Sequence, residues 1–211
     1  MLQFITNTES KTPVIDQILG VLDGGCKWIQ IRMKDASDDE IKNVYNAIKE
    51  KCAEKDAFII INDRVELAKE LEATGVHLGK MDMLPSQARI MLGPAAVIGV
   101  TANSIEDIIA VRSLDVDYVG VGPFAQTSTK KNLAPILGLS GLEKVNKEMA
   151  EKNIELAHVA VGGITLDDIV PIMNIGYNGI AVSGAIANSD NIPNETRKFL
   201  KILDELNSMK K

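Results

Sequence analysis

Apolar residues gather in short, nearly continuous runs along this chain, not in strict alternation with polar ones. The runs fall at 2–6, 28–32, 57–61, 75–78, 96–100, 117–121, 158–161 and 179–182. A strand covered on both faces has this pattern, as in a parallel sheet. Between the runs the spacing becomes helical. Thr12-Pro13 offers a cap and then a proline at the first helical position, and Gly24-Gly25 ends that segment. Ser37-Asp38-Asp39-Glu40 has the form of a capping box and opens a helix to about Lys55. Ser140 with Glu143 repeats the device, and Thr165 with Asp168 begins another helix. A last amphipathic segment, about 194–210, turns Phe199, Leu200, Ile202, Leu203 and Leu206 to one side.

Strict alternation of strand and helix implies a parallel sheet. Eight such units in 211 residues, with no linker or low-complexity stretch, predict one domain over 1–211. The expected fold is α/β, a (β/α)8 TIM barrel near its minimum length. A doubly wound open sheet is the alternative, but no G-x-G-x-x-G follows the first run, which counts against its dinucleotide-binding form. The rhythm breaks once. Residues 122–139 form an irregular stretch after the sixth strand. That is the face where barrel enzymes keep their sites, and a long loop there is expected to be functional.

Composition narrows the classes. Hydrophobic residues make up 45% and charged residues 25%, a globular balance. With Lys+Arg 23 against Asp+Glu 29, the net charge of -6 argues against nucleic acid as a partner. Aromatic residues are only 4%, so the core must be aliphatic. Cys26 and Cys52 make no disulfide framework and are expected as buried thiols in a cytoplasmic protein. The first residues carry no signal-peptide pattern, and no apolar run approaches the ~18 residues of a membrane span.

In a barrel the informative residues lie just past each strand. After the second run, Gln30, Arg32 and Lys34 alternate, so they share one side of an extended segment. Cations pointing into a barrel mouth call for an anionic partner. Asp63 and Asp82 end neighbouring strands and suit one Mg²⁺ completed by substrate phosphate, although each aspartate alone also reads as a helix cap. Thr127-Ser128-Thr129-Lys130-Lys131 follows the sixth strand, Gly162-Gly163 the seventh and Ser183-Gly184 the eighth. Together they suit a phosphate cup built from hydroxyls, ammonium groups and backbone amides. His77 and His158 both fall within strand runs and are read as packed core residues.

Seven motifs occur in order: Gln30-x-Arg32-x-Lys34, Asn62-Asp63, Val76-His77-Leu78-Gly79 with Asp82, Gly99-Val100-Thr101, Asp117 to Pro123, Thr127 to Lys131, and Val161-Gly162-Gly163-Ile164. In these the chain resembles the thiamine phosphate synthase (thiamine-phosphate pyrophosphorylase) family across essentially its whole length. The resemblance implies a transferase that joins hydroxymethylpyrimidine pyrophosphate to hydroxyethylthiazole phosphate, giving thiamine phosphate and pyrophosphate. It implies that Gln30, Arg32, Lys34 and Asn62 hold the pyrimidine pyrophosphate, with Thr101 beside it. It places Mg²⁺ on Asp63 and Asp82. Thr127 and Thr129 match thiazole-phosphate contacts, Lys130 a pyrophosphate contact and Gly163 a backbone phosphate donor, with Ser183 and Gly184 at the same end. Arg32, Lys34 and Lys130 would stabilise the leaving group in a dissociative reaction. Relatives suggest a homodimer.

Departures from the family pattern are Met33, Lys80, Ala125-Gln126 and Ser183-Gly184. Lys80 adds a cation beside Asp82 that could compete with the metal or touch phosphate. Two other functions are weighed. A TenI-type thiazole tautomerase shares the fold, but its acid–base His after the fifth strand is replaced here by Thr101-Ala102-Asn103-Ser104. A non-catalytic thiazole-phosphate binder or regulator is the third reading.

Overall fold

The computed structural model describes residues 1–127 and 134–209. Among these, eight parallel strands pair in sequence order and close into a barrel. They are β1 (Leu2–Ile5), β2 (Trp28–Ile31), β3 (Phe58–Asn62), β4 (Gly75–Leu78), β5 (Val97–Ala102), β6 (Tyr118–Val121), β7 (Ala157–Val161) and β8 (Gly179–Val182). The barrel closes where Gln3 pairs with Ala181 across the β1–β8 seam. The expected (β/α)8 architecture is therefore the one observed, with β4 and β8 at the expected bounds and the other strand ends shifted by at most two residues.

The continuous apolar runs have a simple cause. All four residues of β2 are buried, but on two different faces. Trp28 joins Ile60, Tyr118, Val159 and Ala181 inside the barrel. Ile29 and Ile31 pack outward against the helices, in the larger core. Both faces of each strand are covered, so alternation disappears from the sequence.

The helical layer begins with α1 (Val14–Asp23), α2 (Asp38–Glu54), α3 (Val65–Glu70), α4 (Pro85–Leu92) and α5 (Ile105–Val111). It continues with α6 (Gly138–Glu151), α7 (Ile169–Ile175), α8 (Gly184–Ala187) and α9 (Ile192–Met209). The capping box at α2 forms as expected: Ser37 Oγ accepts from the Glu40 amide at 3.3 Å, and the Glu40 carboxylate accepts from the Ser37 amide at 2.8 Å. Thr165 and Asp168 form a second box, which opens a 3-10 turn ahead of α7. The box expected at Ser140 does not form, because α6 starts earlier, at Gly138. Tertiary contacts decide that start: the Leu137 and Gly138 amides donate to the carbonyls of Pro123 and Phe124.

Two further differences lie near the C-terminal end. The short α8 was not visible in the periodicity. The last helix begins at Ile192, before Asn194, and the Asn191 side chain accepts from the Asn194 amide at 2.9 Å. Of its predicted apolar stripe, Phe199 and Leu203 are fully buried, while Leu200, Ile202 and Leu206 lie at the margin of the core. Cys26 and Cys52 are free and buried, as expected. No helix among the described residues is long and apolar enough to cross a membrane.

Candidate active site

The C-terminal ends of the strands surround a cavity of about 360 Å³, lined by Gln30, Arg32, Lys34, Asn62, Asp63 and Thr101 among others. Six of the residues singled out by the sequence thus meet in one place. Gln30 and Asn62 are buried inside β2 and β3. The buried Gln30 amide nitrogen makes no close hydrogen bond and lies toward the Tyr118 phenol oxygen.

Arg32 and Lys34 lie past the end of β2 and are held by backbone contacts. The Thr6 hydroxyl accepts from the Arg32 amide at 2.8 Å and donates to the Arg32 carbonyl at 3.1 Å. Burial lowers the pKa of the Arg32 guanidinium, and Asp63, Glu9 and Asp35 work against that shift. The group stays cationic at neutral pH. The Lys34 ammonium stands 3.3 Å from the Asp63 carboxylate.

Asp63 is the most constrained of these residues. Its backbone has φ 66, in the left-handed region. Burial, followed by hydrogen bonding and repulsion from Asp82, raises its pKa, and Lys34 only partly opposes this. The two carboxylates expected to approach one another do so. Neither caps a helix: Arg64 occupies the cap position of α3, and Asp82 turns back to accept from the Gly79 amide at 2.6 Å. A half-buried pair of like charges is a donor set suited to a divalent cation, which keeps further coordination positions for substrate oxygens.

Lys80 takes a different course from the one expected. Its ammonium pairs with Asp107 at 2.5 Å, at the start of α5. Asp107 also accepts from the Asn103 amide at 2.7 Å. Lys80 therefore ties the loop after β4 to the start of α5.

A second cavity of about 270 Å³ adjoins the first and shares Ile5, Arg32, Val161 and Ala181 with it. Thr127, Gly163, Ser183 and Gly184 line it, together with Thr165 and Gln126. Gly163 has φ 69, and a Cβ there would come 2.6 Å from the Gln126 carbonyl oxygen. Only glycine allows that loop to close over the cavity. The Ser183 hydroxyl is buried without a partner, and α8 begins directly after it, where first-turn amides lack partners within the helix. Thr129 and Lys130 lie outside the described residues.

The sequence reading missed several wall residues. His77 was read as packed core; it is buried, but it lines the first cavity. Gln3, Glu9 and Gly120 line it too. A period-2 signal for Gln3 was present, since Gln3 and Gln30 are polar residues on inward positions of β1 and β2.

A closed (β/α)8 barrel with two adjoining, anion-suited cavities at the C-terminal ends of its strands defines a barrel enzyme with a mouth built for phosphorylated small molecules. The comparisons with known proteins narrow the class. A model of the family described as thiamine monophosphate synthase (TMP-TENI) matches residues 2–186. A thiamine-phosphate synthase of Bacteroides thetaiotaomicron is 49% identical over 201 residues, covering 95% of this chain and 96% of that protein. One from Flavobacterium psychrophilum is 42% identical over 190 residues, covering 90% and 92%. The solved thiamine phosphate pyrophosphorylase from Pyrococcus furiosus superposes with a TM-score of 0.85 at 29% identity, covering 97% of this chain and 96% of that one. This chain belongs to the thiamine monophosphate synthase family.

Proposed function

We propose that the chain condenses hydroxymethylpyrimidine pyrophosphate with hydroxyethylthiazole phosphate, releasing thiamine phosphate and pyrophosphate. The observation that carries this reading is the pair of adjoining cavities with a shared wall at Arg32. Two phosphorylated substrates can sit side by side, with the reacting atoms near the common boundary. In the first cavity Gln30, Asn62 and Thr101 offer polar contacts to the pyrimidine donor, while Arg32 and Lys34 face its diphosphate. In the second, Gly163, Thr127, Ser183 and Gly184 receive the thiazole phosphate.

The bond that breaks joins the pyrimidine methylene carbon to the diphosphate oxygen, which keeps the electron pair. The thiazole nitrogen then supplies its lone pair to that carbon. No protein nucleophile is required, and the chain's task is to neutralise charge on the departing oxygen. Arg32 and Lys34 do this from loop positions already fixed by Thr6 and Asp63. Ile5, Val161 and Ala181 form an apolar boundary that keeps water from the electron-poor carbon. Asp63 and Asp82 would hold Mg²⁺, which supplies positive charge to the diphosphate when bound. The same reading gives Lys130 a pyrophosphate contact and Thr129 a thiazole-phosphate contact. It also carries a cytoplasmic setting and a homodimer.

A tautomerase reading is not favoured. Asn103, at the end of β5, donates its side-chain amide to the Gly122 carbonyl and is fixed in a loop contact. The test supplies both substrates with Mg²⁺ and follows pyrophosphate and thiamine phosphate. Equal amounts of the two, formed only with both substrates present, are expected. Isomerisation of a carboxylated thiazole phosphate without metal, or thiazole-phosphate binding without any pyrophosphate, would replace this reading.

A further inference from the structure

Along the wall of the first cavity four polar side chains from four strands form a continuous hydrogen-bonded line. The Gln3 amide donates to the Tyr118 phenol oxygen at 3.0 Å. That oxygen lies 2.9 Å from His77 Nδ1, and His77 Nε2 lies 3.1 Å from Thr101 Oγ. The amides around the phenol set the direction of the rest. The Tyr118 oxygen accepts from Gln3 and faces the Gln30 amide, which takes up its second lone pair, so its one hydrogen goes to His77 Nδ1. A neutral imidazole accepting at Nδ1 carries its proton on Nε2 and donates to Thr101. The Thr101 hydroxyl, already an acceptor, is left to donate its own hydrogen. Among the described residues that hydrogen has no acceptor, and Thr101 lines the cavity.

Resting on the reading above, we propose that Tyr118 and His77 are positioning residues: they hold the Thr101 hydroxyl as a hydrogen-bond donor to the departing diphosphate. The opposite direction of the line would turn Thr101's hydrogen toward His77 and present only lone pairs to an anion. A fixed donor strengthens its bond as negative charge grows on the leaving oxygen.

The packing keeps the line in one arrangement. A Cβ at Gly99 would fall 2.1 Å from Tyr118 Cζ, and one at Gly120 would fall 3.2 Å from His77 Cε1, so two glycines make room for the two rings. Trp28 meets Tyr118 edge-on, with ring centroids 4.8 Å apart. Burial pushes the Tyr118 phenol strongly upward in pKa, so it remains a protonated donor at any working pH.

The first experiment needs no substrate. The chain has only two histidines, so nitrogen-15 labelling of histidine resolves both rings by long-range proton–nitrogen correlation. His77 is expected with its proton on Nε2; a proton on Nδ1 overturns the proposal. The second experiment is a kinetic cycle. Thr101→Val and Tyr118→Phe should each lower kcat about tenfold with KM for either substrate changed less than about twofold. Combined, they should cost little more than Thr101→Val alone, because both remove the same hydrogen bond. Thr101→Ser, which keeps the hydroxyl, should recover most of the loss. Fully additive losses, or no recovery by serine, overturn the proposal. If Tyr118→Phe does not fold, the tautomer of the unmutated chain still decides. If the chain does not release pyrophosphate at all, the functional reading fails while the tautomer measurement stands on its own.

Discussion

Asp63 shows at one residue how function opposes stability. It holds φ 66, a conformation that aspartate and asparagine tolerate better than most side chains. Its carboxylate is pressed against Asp82 with Lys34 as the nearby counter-charge. A raised carboxylate pKa means the folded chain binds that proton more tightly than the unfolded chain. The group therefore lowers stability as pH rises above its ordinary 3.8. Asp63→Asn keeps the backbone preference and removes the repulsion. The ligand-free melting temperature should rise by a few degrees, about 1 kcal/mol in a chain of this size. Turnover should fall by about a hundredfold or more, since the divalent site loses a ligand. Calorimetry and pyrophosphate release check the two halves; a lower melting temperature with intact turnover would make Asp63 an ordinary structural residue. The sequence showed that two aspartates end adjacent strands. It did not show the left-handed backbone, which follows from the path of the chain between β3 and α3.

Elements carry the site as much as residues do. The loop from β2 to α2 bears Lys34 and is clasped from the next loop by Arg64. Its guanidinium pairs with Asp38 at 2.5 Å, reaches the Lys34 carbonyl at 3.4 Å and donates to the Ala36 carbonyl. A planar fork holds its donors apart in fixed directions toward a carboxylate and two carbonyls; an ammonium gathers its three donors at one point. Arg64→Lys should loosen the loop and raise KM for the pyrimidine pyrophosphate by about threefold to tenfold. The melting temperature should change little, because an exposed ion pair stabilises weakly. Steady-state kinetics in both substrates check this, and an unchanged KM would show that the loop holds itself. The grouping of Gln30, Arg32 and Lys34 was readable because all three lie at or just past the end of β2, although Lys34 itself falls in a turn closed by the Ala36 amide on the Met33 carbonyl. The clasp was not, because nothing local links Arg64 to a turn 28 residues earlier. The misplaced box at Ser140 has the same origin: local capping chemistry yielded to backbone bonds from Pro123 and Phe124.

At the scale of the whole molecule the barrel was legible because its rule is repetitive: eight two-sided strands, each followed by a helix. The interior line from Gln3 to Thr101 was not, because strand register decides it and Gln3 meets Tyr118 across 115 residues. The two histidines divide the same way, and the second governs how the fold responds to acid. His158 stands at the start of β7, at the end of the barrel away from the mouth. Its amide donates to the Asn178 side chain at 2.8 Å, and its ring packs edge-on to Tyr177 with centroids 4.6 Å apart. The ring nitrogens lie 3.0 Å from the Leu156 carbonyl and 2.9 Å from the Asn146 side-chain oxygen. Burial lowers its pKa below the ordinary 6.5, against the pull of the Leu156 carbonyl. A histidine held neutral in the folded chain takes up its proton more readily when unfolded. Its contribution is therefore intact above pH 6.5 and is lost as pH falls below that value toward the folded pKa. The urea midpoint should stay level from pH 8 to 7 and decline on the way to pH 5, before the carboxylates titrate. His158→Gln, which retains polar contacts and cannot titrate, should start from a lower midpoint and flatten that decline. An equally steep decline in the variant would move the acid sensitivity to the carboxylates and leave His158 a packing residue alone.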